Sequence, residues 1–143
     1  MGCGNAKRRS AASNETVMKS RDLLVAAASL AGLYVSQHMY RKALRAQRGE
    51  LTEPSIVETP AATIFFGQPN ALYGLLFYGT MLASTPFTDS STVRLGRKVA
   101  TGLAASSSLY LMYSLLFITK MECPYCWTGH GLNMVILASI FME

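Results

Sequence analysis

VATGLAASSSLYLMYSLLFIT, residues 99–119, decides the fold class. The stretch holds no Asp, Glu, Lys or Arg, and as a helix it is long enough to cross the hydrocarbon core of a bilayer. Its centre, Ser106-Ser107-Ser108, supplies small residues that favour close helix packing in lipid. Three shorter apolar blocks flank it. The first runs from Leu23 to Val35, is thinned by Ser36, Gln37 and His38, and reaches spanning length with flanks to Tyr40. The second runs from Ala71 to Ser84 and stops at Pro86; the last runs from Tyr125 to Met142.

Composition agrees. Half of the 143 residues are hydrophobic and 15% are charged, where soluble domains carry about a quarter. Mean hydropathy is positive. These figures exclude a disordered chain and point to an all-α membrane protein, a four-transmembrane-helix bundle. The net charge of +5 comes from basic residues that flank the apolar blocks, with the aromatics inside those blocks. Such charges signal orientation rather than nucleic-acid binding. No internal repeat is present.

Residues 1–21 read as a basic arm without apolar periodicity, expected to be flexible, and residues 22–143 as the membrane domain. Residues 41–60 read as a polar loop. Ala61 to Phe66 is too short to span, and Gly67-Gln68-Pro69-Asn70 follows as a turn, with Pro69 suited to a helix start. A short interfacial helix is expected there. Four spans put both termini on one side. That side holds eight basic residues (Lys7, Arg8, Arg9, Lys19, Arg21, Arg94, Arg97, Lys98) and the other five (Arg41, Lys42, Arg45, Arg48, Lys120). The excess assigns the termini to the cytoplasm. Met1-Gly2-Cys3 invites acylation at Gly2 or Cys3, but Ala6 stands where the motif asks for Ser or Thr. A cleaved leader over residues 1–35 would need an unusually long charged region, so a retained first span is expected.

Cys123-Pro124-Tyr125-Cys126 opens the last block. A C-x-x-C at a helix start brings two sulfurs within disulfide reach, and the helix terminus stabilises a thiolate. Redox cycling is the leading reading; inert thiols, or half of a zinc site to which His130 offers a third ligand without the spacing of a known finger, are the alternatives. No metal is expected. On a helix, Cys123, Cys126, His130 and Asn133 share one face and continue the thiols as a polar stripe into the membrane. His130 is suited to hydrogen-bonding a carbonyl beside Cys126, or to bonding between helices. Asn70 opens the second block at a comparable depth, with Tyr73, Phe77 and Met81 on its face. Its amide above an aromatic face suits a flat ring bearing carbonyl oxygens; a helix cap is the alternative.

Phe66-Gly67, the run Asn70-Ala71-Leu72-Tyr73-Gly74-Leu75-Leu76-Phe77-Tyr78 and the Cys123–Cys126 motif together resemble the vitamin K epoxide reductase family over residues 22–142. The resemblance implies a membrane thiol–quinone oxidoreductase. Cys126 would face a vitamin K-type quinone or its epoxide, which is substrate rather than a tightly bound cofactor. Cys123 would exchange disulfides with an external thiol reductant or thioredoxin-like protein. Asn70 would bond a quinone oxygen, and His130 stands where vertebrate members carry a tyrosine of similar role. It also implies the endoplasmic reticulum membrane, with a thylakoid or bacterial inner membrane open. The C-x-x-C would lie on the face opposite the termini. The chain departs from the family in its first loop, which has no cysteine between Tyr40 and Phe66. The internal electron relay is therefore absent. That loss also admits a structural or assembly subunit of a larger membrane complex.

Overall fold

A computed structural model describes the backbone of residues 3–63 and 65–142, and side chains from Ser20 onward within those ranges. Four helices make up the architecture: α1 (Cys3–Gln47), α2 (Asn70–Ser84), α3 (Ser91–Tyr113) and α4 (Pro124–Phe141). No strand occurs among the described residues. α1 packs along α2 and α4, α3 packs along α4, and α2 and α3 touch little.

Two end clusters define how the helices run. At one end Asp22 of α1 meets Arg97 near the start of α3 and Thr88 just beyond α2, both at 3.4 Å. At the other, His38 of α1 stacks on Tyr125 at the start of α4, ring centroids 4.4 Å apart. Asn70, opening α2, bonds back to Ala61 of the first loop. Consecutive helices thus run up and down. Between the ends, Val25, Ala28, Tyr78, Met81, Ile136 and Ile140 form the core.

α1 is longer than expected in both directions. The arm expected to be aperiodic is helical from Cys3, because after Gly4 it holds no helix breaker and is rich in Ala, Lys and Arg. Gly2 and the Cys3 side chain, the acylation candidates, lie outside the described residues. At its far end α1 runs seven residues into the expected loop, to Gln47. Ala43, Leu44, Arg45 and Ala46 are strong helix formers, so their charge content did not end the helix. Gly49 does, at φ +71°. Its N–H bonds the Ala46 carbonyl and the Glu50 N–H bonds that of Arg45, a Schellman closure.

The expected interfacial helix is instead two 3₁₀ turns, Ile56–Glu58 and Pro60–Thr63. Glu58 closes the first by accepting from the Ser55 N–H at 3.1 Å, and Pro60 prevents the two from merging into one α-helix. α3 continues as a π-helical turn over Ser114–Thr119 and ends at Lys120 in the left-handed region.

The burial pattern is inverted relative to a soluble protein. Ser29, Ser36, Thr101, Ser108, Ser114, Ser139, Arg97 and His130 are buried. Leu23, Leu30, Leu76, Leu103, Leu109, Leu116, Phe117 and Ile118 are exposed. Exposed apolar surface on that scale needs lipid or a partner to cover it, while polar groups inside a bundle are what membrane helices place there. Ser91–Thr119 is the helical stretch among the described residues long and apolar enough to cross a membrane. α2, at 15 residues, reaches about 22 Å, and α4 carries His130 and Asn133.

Candidate functional site

α4 begins where Pro124 occupies the first helical position and Cys123 the N-cap, whose Sγ accepts the Cys126 N–H at 3.2 Å. Proline suits that position because its missing N–H would have no intrahelical partner. Cys123 and Cys126 form a disulfide, Cα atoms 5.2 Å apart. The two sulfurs are not equivalent. Cys123 is 6% exposed, whereas Cys126 forms part of the wall of a cavity of about 540 Å³.

That cavity lies among all four helices and the first loop. Asn70, Tyr73, Phe77, Cys126 and His130, singled out in the sequence, all line it; Cys123 does not. Its remaining wall is mainly aliphatic and aromatic, with Phe65 and Phe66 of the loop and Leu103 and Leu111 of α3. Phe66 and Gly67 both adopt the left-handed region, turning the loop into α2 and leaving the Phe66 ring 93% exposed.

The polar groups on this wall differ in availability. Asn70 donates through Nδ2 to the Ala61 carbonyl at 2.7 Å. The N-cap of α2 is Pro69, with no side-chain cap, so Asn70 fastens the loop rather than capping the helix. Its Oδ1 is buried without a hydrogen-bond partner. The Tyr73 hydroxyl donates to the Phe65 carbonyl at 3.0 Å.

Sequence reasoning missed a second polar assembly. The Tyr78 hydroxyl donates to Asn133 Oδ1 at 2.6 Å, with the Gly129 carbonyl at 2.9 Å as a second acceptor. Asn133 Nδ2 in turn donates to the Ser108 hydroxyl at 2.6 Å. This chain joins α2, α4 and α3. Each residue was visible as polar in an apolar block, but positions 55 apart in sequence carry no local signal of pairing. The Arg97–Asp22 pair was missed likewise: Arg97, counted as a loop charge, is 5% exposed.

The arrangement can hold a flat apolar ligand against a disulfide sulfur, with an imidazole and an amide nearby. A volume of about 540 Å³ falls within the range of small-molecule sites, about 300–1,000 Å³. Compared with protein families, the chain matches the model of the vitamin K epoxide reductase family over residues 23–141.

Proposed function

The chain belongs to the vitamin K epoxide reductase family, and from that premise we propose that it is a membrane thiol–quinone oxidoreductase working through Cys123 and Cys126. Family membership supports an oxidoreductase associated with a membrane. The observation that carries the finer reading is the position of Cys126: one sulfur of a closed C-x-x-C disulfide on the wall of an apolar cavity.

In the reducing direction, the dithiol form gives two electrons and two protons to a vitamin K-type quinone, and the disulfide re-forms. Phe77 and the neighbouring aromatics hold the ring, and Cys126 is the sulfur that meets it. Asn70 holds the loop over the cavity through Ala61 and offers its second Nδ2–H to a ring oxygen. Cys123, outside the cavity, exchanges with a reductant from beyond the chain, because the first loop holds no cysteine. That reductant is a small dithiol or a thioredoxin-like protein.

Four membrane-spanning helices accord with the inverted burial pattern and the up-and-down order. We propose cytoplasmic termini, the C-x-x-C on the opposite face, and the endoplasmic reticulum as the membrane. The cysteine-free loop favours a second reading, a subunit of a larger membrane complex.

Purified protein in lipid nanodiscs, supplied with a naphthoquinone and a small dithiol, tests the assignment by hydroquinone formation. Wild type should turn over and Cys126→Ser should not. Equal rates in wild type, Cys123→Ser and Cys126→Ser would remove the cysteines from the chemistry and leave the subunit reading, for which stoichiometric co-purification with a complex is the mark.

A further inference from the structure

Quinone reduction needs protons as well as electrons, and the cavity offers few groups to carry them. Tyr78, Asn133 and Ser108 are bonded to one another, and the Tyr73 hydroxyl is bonded to Phe65. His130 differs. It lines the cavity, is 9% exposed, and its ring makes no hydrogen bond with the described residues. It also follows Cys126 by four positions on α4, so the two side chains lie one turn apart on one face. A ring oxygen beside Cys126 is within reach of the imidazole.

The surroundings leave His130 without competition. From α1 the cavity receives Val35, Ser36, Met39 and Ala43, none of which titrates. α2 offers Tyr73 and Tyr78, and α4 offers Tyr125 besides the cysteine. α3, its π-helical continuation and the first loop contribute no titratable side chain among the described lining residues, and no Asp, Glu, Lys or Arg is among them. The chain's other imidazole, His38, stacks outside the cavity on Tyr125.

We propose that His130 carries the proton between the Cys126 thiol and the quinone oxygen, and that its titration sets the pH dependence of turnover. This rests on the quinone reading above. His130 takes the proton of the Cys126 thiol. The thiolate adds to a ring carbon, forming a C–S bond, and the displaced electron pair moves onto the carbonyl oxygen, which takes the proton from the imidazolium. Cys123, deprotonated, then attacks the Cys126 sulfur. The S–S bond forms, the C–S bond breaks, and its electron pair returns to the ring as the second oxygen takes the proton that Cys123 lost. Two thiols and one quinone become one disulfide and one hydroquinone, with no further oxidant or reductant.

The test is single-turnover hydroquinone formation by pre-reduced protein in nanodiscs, from pH 5 to 10, for wild type, His130→Gln and His130→Tyr. Wild type should lose rate on the acid side, in the range where imidazole titrates and its protonation stops it from accepting the thiol proton. His130→Gln keeps hydrogen-bonding capacity without a transferable proton. It should slow turnover about 10²-fold, as loss of a general acid–base group does, and move this acid limb up toward about pH 8.5, where a thiol ionises unaided. His130→Tyr supplies a proton donor for the oxygen but no base in the imidazole range, so it should restore part of the rate while the limb stays displaced. A wild-type limb retained in His130→Gln, at any rate, overturns the proposal. Should that variant not fold, an unmoved limb in His130→Tyr overturns it equally. If wild type itself makes no more hydroquinone than Cys126→Ser, the quinone reading fails and the proton role falls with it, an outcome distinct from an active wild type whose pH profile ignores His130.

Discussion

Removing the Tyr78 hydroxyl separates a structural role from a catalytic one. Tyr78 is 3% exposed, and its hydroxyl reaches Asn133 at 2.6 Å beside the Gly129 carbonyl. In Tyr78→Phe the ring stays, so no cavity opens and the loss is polar. Asn133 Oδ1 loses its donor, and the neighbouring groups offer no replacement. The Gly129 carbonyl is itself an acceptor, and the Ser108 hydroxyl already receives Asn133 Nδ2. Stranding a buried acceptor costs about 1–3 kcal/mol in water-soluble proteins. Bonds between membrane helices average about 0.6 kcal/mol and reach about 1.7. The short distance and the lack of an alternative donor place this bond at the upper end of the membrane range, so the variant should lose about 1–2 kcal/mol.

Thermal unfolding in detergent micelles reads this as a fall of several degrees, at about 3 °C per kcal/mol for a chain of this size. Tyr78→Phe combined with Asn133→Leu should recover part of the loss, giving a coupling of about 1 kcal/mol. The hydroxyl is held by protein, so the dithiol–quinone reaction should stay within a few-fold of wild type at temperatures where both are folded. Unchanged stability with lost turnover would refute the reasoning, because the hydroxyl would then serve a ligand rather than Asn133.

Asp22→Ala leaves the buried guanidinium of Arg97 without its counter-ion, so its unfolding temperature should fall further than that of Arg97→Ala. Asp22 is 24% exposed on its side chain and can recruit water when unpaired, whereas a buried Arg97 left alone carries the larger penalty of an unpaired internal charge; a larger fall for Arg97→Ala in micelle melts would refute this. Asn70→Ala removes the bond to Ala61 and should cost about 0.5–1.5 kcal/mol while lowering quinone turnover more than that loss explains; normal turnover would count against the amide's contact with substrate. A side chain at Gly32 would overlap the Tyr78 ring, so Gly32→Ala should destabilise. The overpacking penalty of about 1–3 kcal/mol exceeds the helix-propensity gain of about 0.5–1 kcal/mol, and a melt raised by the substitution would show that the helices separate freely there.

The second and fourth helices and the end of the third were legible because a local signal bounds each apolar block: Pro86 after α2, Lys120 after the π-helical turn, and Pro124 opening α4; the start of α3 was not, since it lies at Ser91, in the charged stretch read as loop. α1 was not, because its ends are charged, and charge suppresses hydropathy without suppressing helix formation. The thiols, Asn70, Tyr73, Phe77 and His130 were legible as polar or aromatic positions on two helix faces. What they bond to was not. Asn70 read equally as a cap, and the loop carbonyl of Ala61 that it holds has no sequence signature. Arg97 read as a flanking charge because its counter-ion, Asp22, lies 75 positions earlier. Contacts between helices are set by packing, and a single sequence records them only as unexplained polarity.

In the proposed reaction, the burial of Cys123 governs how electrons enter. The first loop carries no cysteine; its turns supply Ile56, Val57, Ala61 and Ala62 to the cavity wall instead. No thiol of that loop is tethered to the disulfide, so the high effective concentration of an intramolecular attack is missing. An outside thiolate must reach a sulfur directly, and exchange rates depend on access as much as on thiol pKa. Cys123 is 6% exposed, which closes it to a folded protein until the surrounding structure opens. A small dithiol needs a far smaller opening to reach Cys123 than a folded protein does. A membrane-permeant dithiol should therefore reduce the pair far faster than thioredoxin at equal thiolate concentration. Glu58→Ala, which removes the bond closing the first 3₁₀ turn, should narrow that difference by loosening the loop. The measurement is the rate of thiol appearance at Cys123 and Cys126 by alkylation and mass spectrometry. Equal rates for the small and the protein reductant in the wild type would mean that the disulfide is open to docking as it stands, and that burial of Cys123 does not limit exchange.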